Sequence, residues 1–120
     1  MKIAIAGKVQ AGKTTLAKSF LNVKHTDDLM ETHGWSDASV QAARWFSDPA
    51  IEAIEGVRVP HALRKWLNQN PGKPVDKLIW CGAPKVPLSD GQQRLSTGAE
   101  TVFREIEPEL RRRGVEIEQR

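Results

Sequence analysis

The first sixteen residues constrain this 120-residue chain more than any other stretch. Residues 2–6 read KIAIA, a run that predicts a buried strand of a parallel sheet. Residues 7–14 follow as GKVQAGKT and match the pattern G-x-x-x-x-G-K-[ST] without a mismatch. From residue 14 onward the sequence is compatible with a helix. A strand, a glycine-rich loop and a helix in this order are typical of a Walker A phosphate-binding loop.

The spacing within this loop follows from the chemistry of holding a triphosphate. Gly7 and Gly12 let the backbone curl tightly, so that successive N–H groups point at phosphate oxygens and the helix start adds further donors. Lys13 would reach the β- and γ-phosphates, and the Thr14 hydroxyl would bind Mg²⁺. The predicted nucleotide-binding residues are Gly7, Ala11, Gly12, Lys13, Thr14 and Thr15. The alternative is a glycine-rich turn that fits the pattern by chance.

Composition limits what this loop can belong to. With 39% hydrophobic and 28% charged residues, the chain suits one globular domain over residues 1–120. The net charge of +3 is mild and does not by itself call for nucleic acid. The single cysteine, Cys81, excludes an internal disulfide framework, and no apolar run approaches the roughly 18 residues of a membrane helix. Since the early glycine loop is also unlike a signal peptide, we expect a cytoplasmic protein without membrane contact.

Apolar patterning predicts strands that alternate with helices along the chain. The strands are predicted over residues 2–6, 23–26, 50–55, 75–81 and 115–118, and the helices over residues 14–22, 36–46, 60–68 and 91–106. Such alternation indicates a parallel sheet with helices on both faces. The apolar face of the last helix should begin with Leu95, and Pro108 should kink or restart that helix before it ends at Arg113 and Gly114.

Acidic residues stand where two strands of the predicted sheet end. Asp27 and Asp28 follow the second strand, and open parallel sheets bind ligands beyond the carboxyl ends of their strands. An aspartate there would coordinate Mg²⁺ or take a proton from an attacking hydroxyl, whereas the alternative is helix capping. Glu55 closes the third strand, as a Walker B acid that holds Mg²⁺ does, and Glu52 is the competing acid.

Basic residues near these strand ends are further candidates. Arg58 lies just past Glu55, where a guanidinium would clamp an acceptor phosphate, and the alternative is an ion pair with a surface acid. His25, His33 and His61 show no metal-ligand spacing among themselves, and His61 is interpreted as structural or solvated.

With this loop and these strand ends, the chain resembles the minimal P-loop kinases of the adenylate-kinase-like group, which includes nucleotide, nucleoside, small-molecule and polynucleotide kinases. The resemblance implies a three-layer α/β/α P-loop NTPase fold with a five-stranded parallel sheet in the order 2-3-1-4-5. Residues 26–29, TDDL, are similar to the aspartate pair of polynucleotide kinases, which implies Asp27 as the catalytic base. Residues 54–58, IEGVR, are similar to the Asp-Gly-Phe-Pro-Arg segment of adenylate kinases, although glutamate replaces aspartate and the arginine comes one residue sooner. The layout also resembles small kinase-like proteins encoded by bacteriophages.

Kinases of this group close an arginine-bearing lid over the transferred phosphate. Between Cys81 and Phe103 the chain has no inserted lid domain, and its basic residues there are Lys85 and Arg94. Arg94 is the candidate lid arginine, with Arg104 further along the helix. A minimal lid would exclude water poorly and would permit ATP hydrolysis or slow transfer.

The resemblance implies a phosphotransferase that uses ATP and Mg²⁺ and acts on a small hydroxyl or phosphate acceptor. The implied catalytic residues are Lys13, Asp27, Arg58 and Arg94, and the implied metal ligands are Thr14 and Glu55. The alternative is a non-catalytic or weakly hydrolysing nucleotide-binding protein with a regulatory or assembly role. A GTPase is disfavoured because residues 68–73, NQNPGK, do not supply the guanine-specifying Asn-Lys-x-Asp, and a motor ATPase would normally need a longer chain. A nucleic-acid end is an allowed but not favoured acceptor, and the sequence specifies neither the acceptor nor the oligomeric state.

Overall fold

The structure is a computed structural model that describes residues 1–8, 22–26, 29, 35–82 and 87–120, with the backbone alone for residues 35–39. The strands in these residues are β1 (Ile3–Gly7), β2 (Val23–His25), β3 (Ala53–Glu55), β4 (Lys77–Cys81) and β5 (Glu116–Gln119). The helices in these residues are α1 (Trp35–Trp45), α2 (Val59–Gln69) and α3 (Asp90–Arg112). Strands β3 and β4 begin later than the sequence predicted: a turn at residues 49–50 precedes β3, and a bend at Asp76 precedes β4.

The five strands form one sheet in the order β2-β3-β1-β4-β5. Every pair of neighbouring strands is parallel, so the predicted sheet and its order are confirmed. Strand β1 is central, because its small apolar residues allow close packing from the face that the helices cover. Parallel strands all end at the same side of the sheet, which we call the carboxyl edge; the opposite side is the amino edge. Among the described strand ends, Gly7, His25, Glu55 and Cys81 lie at the carboxyl edge.

The three described helices pack on one face of the sheet. Helix α2 lies between α1 and α3, and its buried Leu63 and Trp66 belong to a core with Ala4 and Ala6 of β1. On the opposite face, four buried side chains form a second cluster: Ile3, Ile5, Ile79 and Cys81. Nearly all of the helix predicted over residues 14–22 falls outside the described residues, so the three-layer arrangement stays a prediction. None of the described helices is long and apolar enough to cross a membrane.

Helix α3 differs from its prediction at two points. It begins with a capping box, in which the side chains of Ser89 and Gln92 each accept a hydrogen bond from the other residue's backbone. Leu95 is 38% exposed, and Ser96 is buried in its place, because the helix meets the sheet one residue later than the apolar pattern indicated. The helix also continues through Pro108 without a restart. The burial of apolar side chains on both sides of the proline offsets the missing hydrogen bond.

Candidate functional site

Strand β1 ends in a close approach to β4 at the carboxyl edge. Gly7 has a φ of 150°, and a Cβ at this position would lie 2.1 Å from the carbonyl oxygen of Cys81. The N–H of Lys8 donates to the same carbonyl oxygen at 2.9 Å. Only glycine fits this backbone, because any side chain would collide with β4 and would strain the dihedral angle. The first glycine of the predicted phosphate loop therefore sets the point at which the chain leaves the sheet.

The rest of the predicted loop, residues 9–15, lies outside the described residues, as do residues 16–21 of the predicted helix that follows. This applies to Ala11, Gly12, Lys13, Thr14 and Thr15, whose roles stay predictions. Asp27, Asp28 and Lys85 also lie outside the described residues.

Glu55 ends β3 as a buried carboxylate that is only 2% exposed. In the sheet register it lies opposite Ile5 of β1 and His25 of β2, so the three side chains share one face. The Nδ1 of His25 and the Oε1 of Glu55 are hydrogen-bonding partners. A buried carboxylate is costly unless donors reach it, and an imidazole that donates from Nδ1 supplies one. The pair forms an acid–imidazole unit at the carboxyl edge.

The competing acid, Glu52, lies at the other end of the strand. Its N–H donates to the carbonyl oxygen of Asn22 at 2.8 Å, and its own carbonyl oxygen accepts from Ile3 at 2.9 Å. Three residues along a strand span about 10 Å, so Glu52 belongs to the amino edge. Of the two acids that the sequence offered, only Glu55 stands where β3 ends.

Gly56 brings the chain after β3 against the end of β2. Its φ is 140°, and a Cβ there would lie 1.8 Å from the Thr26 hydroxyl oxygen. The N–H of Gly56 donates to Ile5 at 3.1 Å, which holds this turn on the central strand. Thr26 is buried, and its hydroxyl has no hydrogen-bond partner among the described residues. The backbone just before Asp27 is thus in contact with the residue that follows Glu55.

Arg58 is a buried cation at the start of α2. It is 2% exposed and occupies the N-cap position, where its carbonyl oxygen accepts from Ala62 at 3.1 Å. Both roles that the sequence offered for Arg58, a clamp for an acceptor phosphate and an ion pair with a surface acid, stay predictions. The first turn of α2 contains no acidic residue, so the positive end of the helix is not neutralised by its own side chains. A buried guanidinium beside a helix N-terminus favours an anion.

Burial and the positive charges around α2 both lower the pKa of His61. Burial lowers the pKa of this half-buried imidazole, and nearby Arg64, Arg58 and Lys65 lower the pKa further. The first half of α2 is therefore electropositive. His61, interpreted from sequence as structural or solvated, lies inside this region.

The two candidate lid arginines differ in their surroundings. Arg94 is exposed in the second turn of α3 and makes no hydrogen bond or ion pair with the described residues. Arg104 is engaged on the surface of α3: it pairs with Glu107 at 3.4 Å and Glu100 at 3.8 Å, and its guanidinium lies 5.1 Å from the centroid of the Phe103 ring. These contacts engage the side chain of Arg104 but not that of Arg94, so Arg94 is the better placed of the two to contact a ligand.

The carboxylate of Glu55 is a ligand type that Mg²⁺ accepts. Among the described residues, no three His, Cys, Asp or Glu side chains gather into a metal cage. Mg²⁺ at nucleotide sites does not need one, because it is held by one or two carboxylates together with substrate phosphates and water. Glu55 is a carboxylate of this kind at the expected strand end.

His25 is the residue of this site that the sequence analysis left without a role. Its importance depends on the register of β2 against β3, which places it opposite Glu55. The one signal in the sequence is that His25 closes the second predicted strand, as Glu55 closes the third.

Comparison of the chain with protein-family models, with curated proteins and with solved structures finds no match in any of the three. Function is therefore inferred from the residues and geometry of the chain itself.

Proposed function

We propose that the protein is an ATP-dependent phosphotransferase that moves the γ-phosphoryl group to a small hydroxyl or phosphate acceptor. One observation carries this proposal: the buried acid Glu55 ends the strand beside β1, at the edge where Gly7 opens a complete Walker A sequence. Sheets with this order bind ligands at the carboxyl edge. The expected compartment is the reducing cytosol, on the strength of the lone Cys81.

In the proposed complex, the loop over residues 7–15 binds the triphosphate of ATP. Lys13 contacts the β- and γ-phosphates, and Thr14 and Glu55 hold Mg²⁺ directly or through water. Held by these residues, Mg²⁺ would supply positive charge for the phosphates.

Transfer then needs little covalent chemistry from the protein. Asp27 orients the acceptor and takes the proton of an acceptor hydroxyl. A bond forms between the acceptor oxygen and the γ-phosphorus while the bond to the β–γ bridging oxygen breaks, and ADP leaves. Arg58 and Arg94 neutralise charge on the transferred group, so that positioning and electrostatics supply most of the acceleration.

The surroundings of Arg104 favour a second candidate function. Because Arg104 is engaged by acids of its own helix, the described part of the chain offers only Arg94 as a lid arginine. A site with one such arginine would bind nucleotide but transfer phosphate slowly. The second candidate is therefore a weakly hydrolysing or non-catalytic nucleotide-binding protein with a regulatory or assembly role.

The first experiment measures ADP release from ATP and Mg²⁺ with and without acceptors. The panel contains nucleoside monophosphates, nucleosides, small hydroxylated metabolites and DNA with a 5′-hydroxyl end. We expect one class to stimulate ADP release and to yield a phosphorylated product. Lys13→Ala should abolish nucleotide binding and turnover while it leaves the melting temperature unchanged. Lys24→Ala is the matched control, because Lys24 is an exposed lysine of β2.

The three possible results separate the candidates. Acceptor-dependent ADP release supports the phosphotransferase. Nucleotide binding that depends on Lys13, without acceptor-dependent turnover, supports the regulatory function instead. No nucleotide binding, or binding that Lys13→Ala leaves intact, overturns both.

A further inference from the structure

The pairing of β2 with β3 brings one polar pair together at the carboxyl edge. The register aligns Val23 with Ala53, Lys24 with Ile54, and His25 with Glu55. Residues that lie opposite each other on neighbouring strands project from the same face, and successive residues alternate between faces. Lys24 therefore points to the face opposite His25, where it is exposed. The third pair alone places two ionisable side chains side by side.

Glu55 needs a donor because its neighbour on β1 is apolar. It shares its face with Ile5 of β1, which is fully buried in the cluster of that face. The carboxylate is 3% exposed, whereas the imidazole of His25 is 35% exposed. A carboxylate so far from water loses its solvation unless protein donors replace it. Among the described residues, His25 supplies that donor.

The contact also fixes the direction of the carboxylate. Nδ1 of His25 engages Oε1 of Glu55, and Oε2 takes no part in that contact. A carboxylate with one oxygen held by an imidazole keeps one orientation and presents its other oxygen to a ligand. Outer-shell partners of metal-binding groups act in this way, and their loss typically costs about 10- to 100-fold in metal affinity.

We propose that His25 is a positioning residue, which holds Glu55 in the orientation that receives nucleotide-bound Mg²⁺. The inference rests on the proposed nucleotide site and assigns to His25 a role that its spacing in the sequence did not indicate. His25 is not a catalytic residue in this proposal, because it acts through Glu55. A histidine that merely supported the fold would affect nucleotide binding equally with and without the metal.

The test measures the affinity for a non-hydrolysable ATP analogue by calorimetry, once with Mg²⁺ and once with a chelator. We expect His25→Ala to weaken binding about tenfold with Mg²⁺ and to leave it unchanged with the chelator. His25→Asn should keep most of the affinity, because its amide nitrogen can donate from nearly the position of Nδ1. Lys24→Ala, on the same strand but the other face, should match the wild type in both conditions.

A double-mutant cycle strengthens the test. Glu55→Gln should weaken Mg²⁺-dependent binding at least as much as His25→Ala, and the two changes together should cost no more than Glu55→Gln alone. Additive losses would show that His25 acts independently of Glu55 and would overturn the proposal.

Failure of this inference is distinguishable from failure of the proposed function. If the wild type binds no nucleotide, the proposed function fails and takes the inference with it. If the wild type binds the analogue more tightly with Mg²⁺, and His25→Ala shows the same gain, only the inference fails. A loss in His25→Ala that is equal in both conditions, with a lowered melting temperature, would assign His25 a purely structural role and would likewise overturn it.

Discussion

The two edges of the sheet both gather charged residues, but they use them differently. At the amino edge, basic groups donate to the carbonyl oxygens that helices leave unpaired at their ends. The Nζ of Lys2 donates to Asp48 at 2.6 Å and to Trp45 at the end of α1. The guanidinium of Arg113 donates to Leu67 at 3.1 Å and to Asn70 at 2.7 Å, at the end of α2. These charges close the ends of helices, which is a structural task.

At the carboxyl edge, the described charged residues Glu55 and Arg58 are more deeply buried. Glu55 faces the imidazole of His25, and Arg58 stands at the positive end of α2 rather than at its negative end. A cation at a helix N-terminus is unfavourable for the helix itself, whereas an anion bound there is favourable.

The amino edge also carries open clefts among the described residues. In the described part of the chain, two clefts of about 320 and 230 Å³ lie at the amino edge, and both are lined by Lys2, Pro49 and Asp76. Their charged groups are already engaged with the backbone or with each other. The described charged groups of the two edges thus differ in their surroundings: those that line the amino-edge clefts are engaged near the surface, whereas Glu55 and Arg58 are buried at a strand end and a helix start.

The largest expected effect tests whether the carboxyl edge is built around the close approach of β1 and β4. Gly7→Ala places a Cβ 2.1 Å from the Cys81 carbonyl oxygen and strains a φ of 150°. We expect a loss of about 3 kcal/mol or more in the free energy of unfolding, measured by urea denaturation. Gly98→Ala is the matched control: a Cβ there meets nothing within 4 Å inside α3, so it should stabilise by about 0.5–1 kcal/mol.

A Gly7→Ala protein as stable as the wild type would show that the end of β1 can move away from β4. The role assigned here to the first glycine of the loop would then be wrong.

The second prediction compares the two acids of β3, one at each edge. Glu55→Gln keeps the shape of the side chain and removes the charge that would hold Mg²⁺, so nucleotide turnover should fall on the order of 100-fold. Glu52→Gln, at the amino edge, should leave turnover unchanged. The measurement is ADP release at saturating ATP over a range of Mg²⁺ concentrations. Equal losses of turnover in both variants would show that the acids at the two edges do not differ in function.

Most of the fold was predictable because local patterns agree with the tertiary arrangement. The alternation of apolar strands with helices indicated a parallel sheet, and the family resemblance implied its order. Two features of α3 were not predictable: the exposure of Leu95, and the continuation of the helix through Pro108. Both depend on how the helix packs on the sheet, and burial of Leu110 beyond the proline outweighs one missing hydrogen bond.

The candidate site was predictable to a smaller extent. An acid that closes an apolar strand marked Glu55, and a basic residue after it marked Arg58. The role of His25 was missed because it requires the register of two strands that lie about thirty residues apart in sequence, and spacing alone carries no such information. Burial of Arg58 is likewise a tertiary property.

The third prediction addresses the structural use of charge at the amino edge. Lys2→Met keeps the aliphatic stem and removes the donor for the carbonyl oxygens of Trp45 and Asp48. We expect a loss of roughly 1–2 kcal/mol in the free energy of unfolding, because two carbonyl oxygens at a helix end lose a charged donor. Nucleotide binding should not change. A variant that unfolds like the wild type but binds nucleotide less tightly would reverse the roles assigned to the two edges.

The smallest expected effect is a pH dependence at the same edge. Glu109 accepts a hydrogen bond from Arg113, whose guanidinium also donates to the end of α2. Hydrogen bonds from Arg112 and Arg113 lower the pKa of Glu109 from 4.5 to about 2. Since the folded state holds this carboxylate ionised, its contribution to stability is fully present above pH 4.5 and is lost as the pH falls towards 2. Glu109→Gln should therefore melt slightly below the wild type at pH 6 and converge with it near pH 2. Melting temperatures measured between pH 7 and pH 2 test this, and curves that stay parallel throughout would show that Glu109 does not hold Arg113 in place.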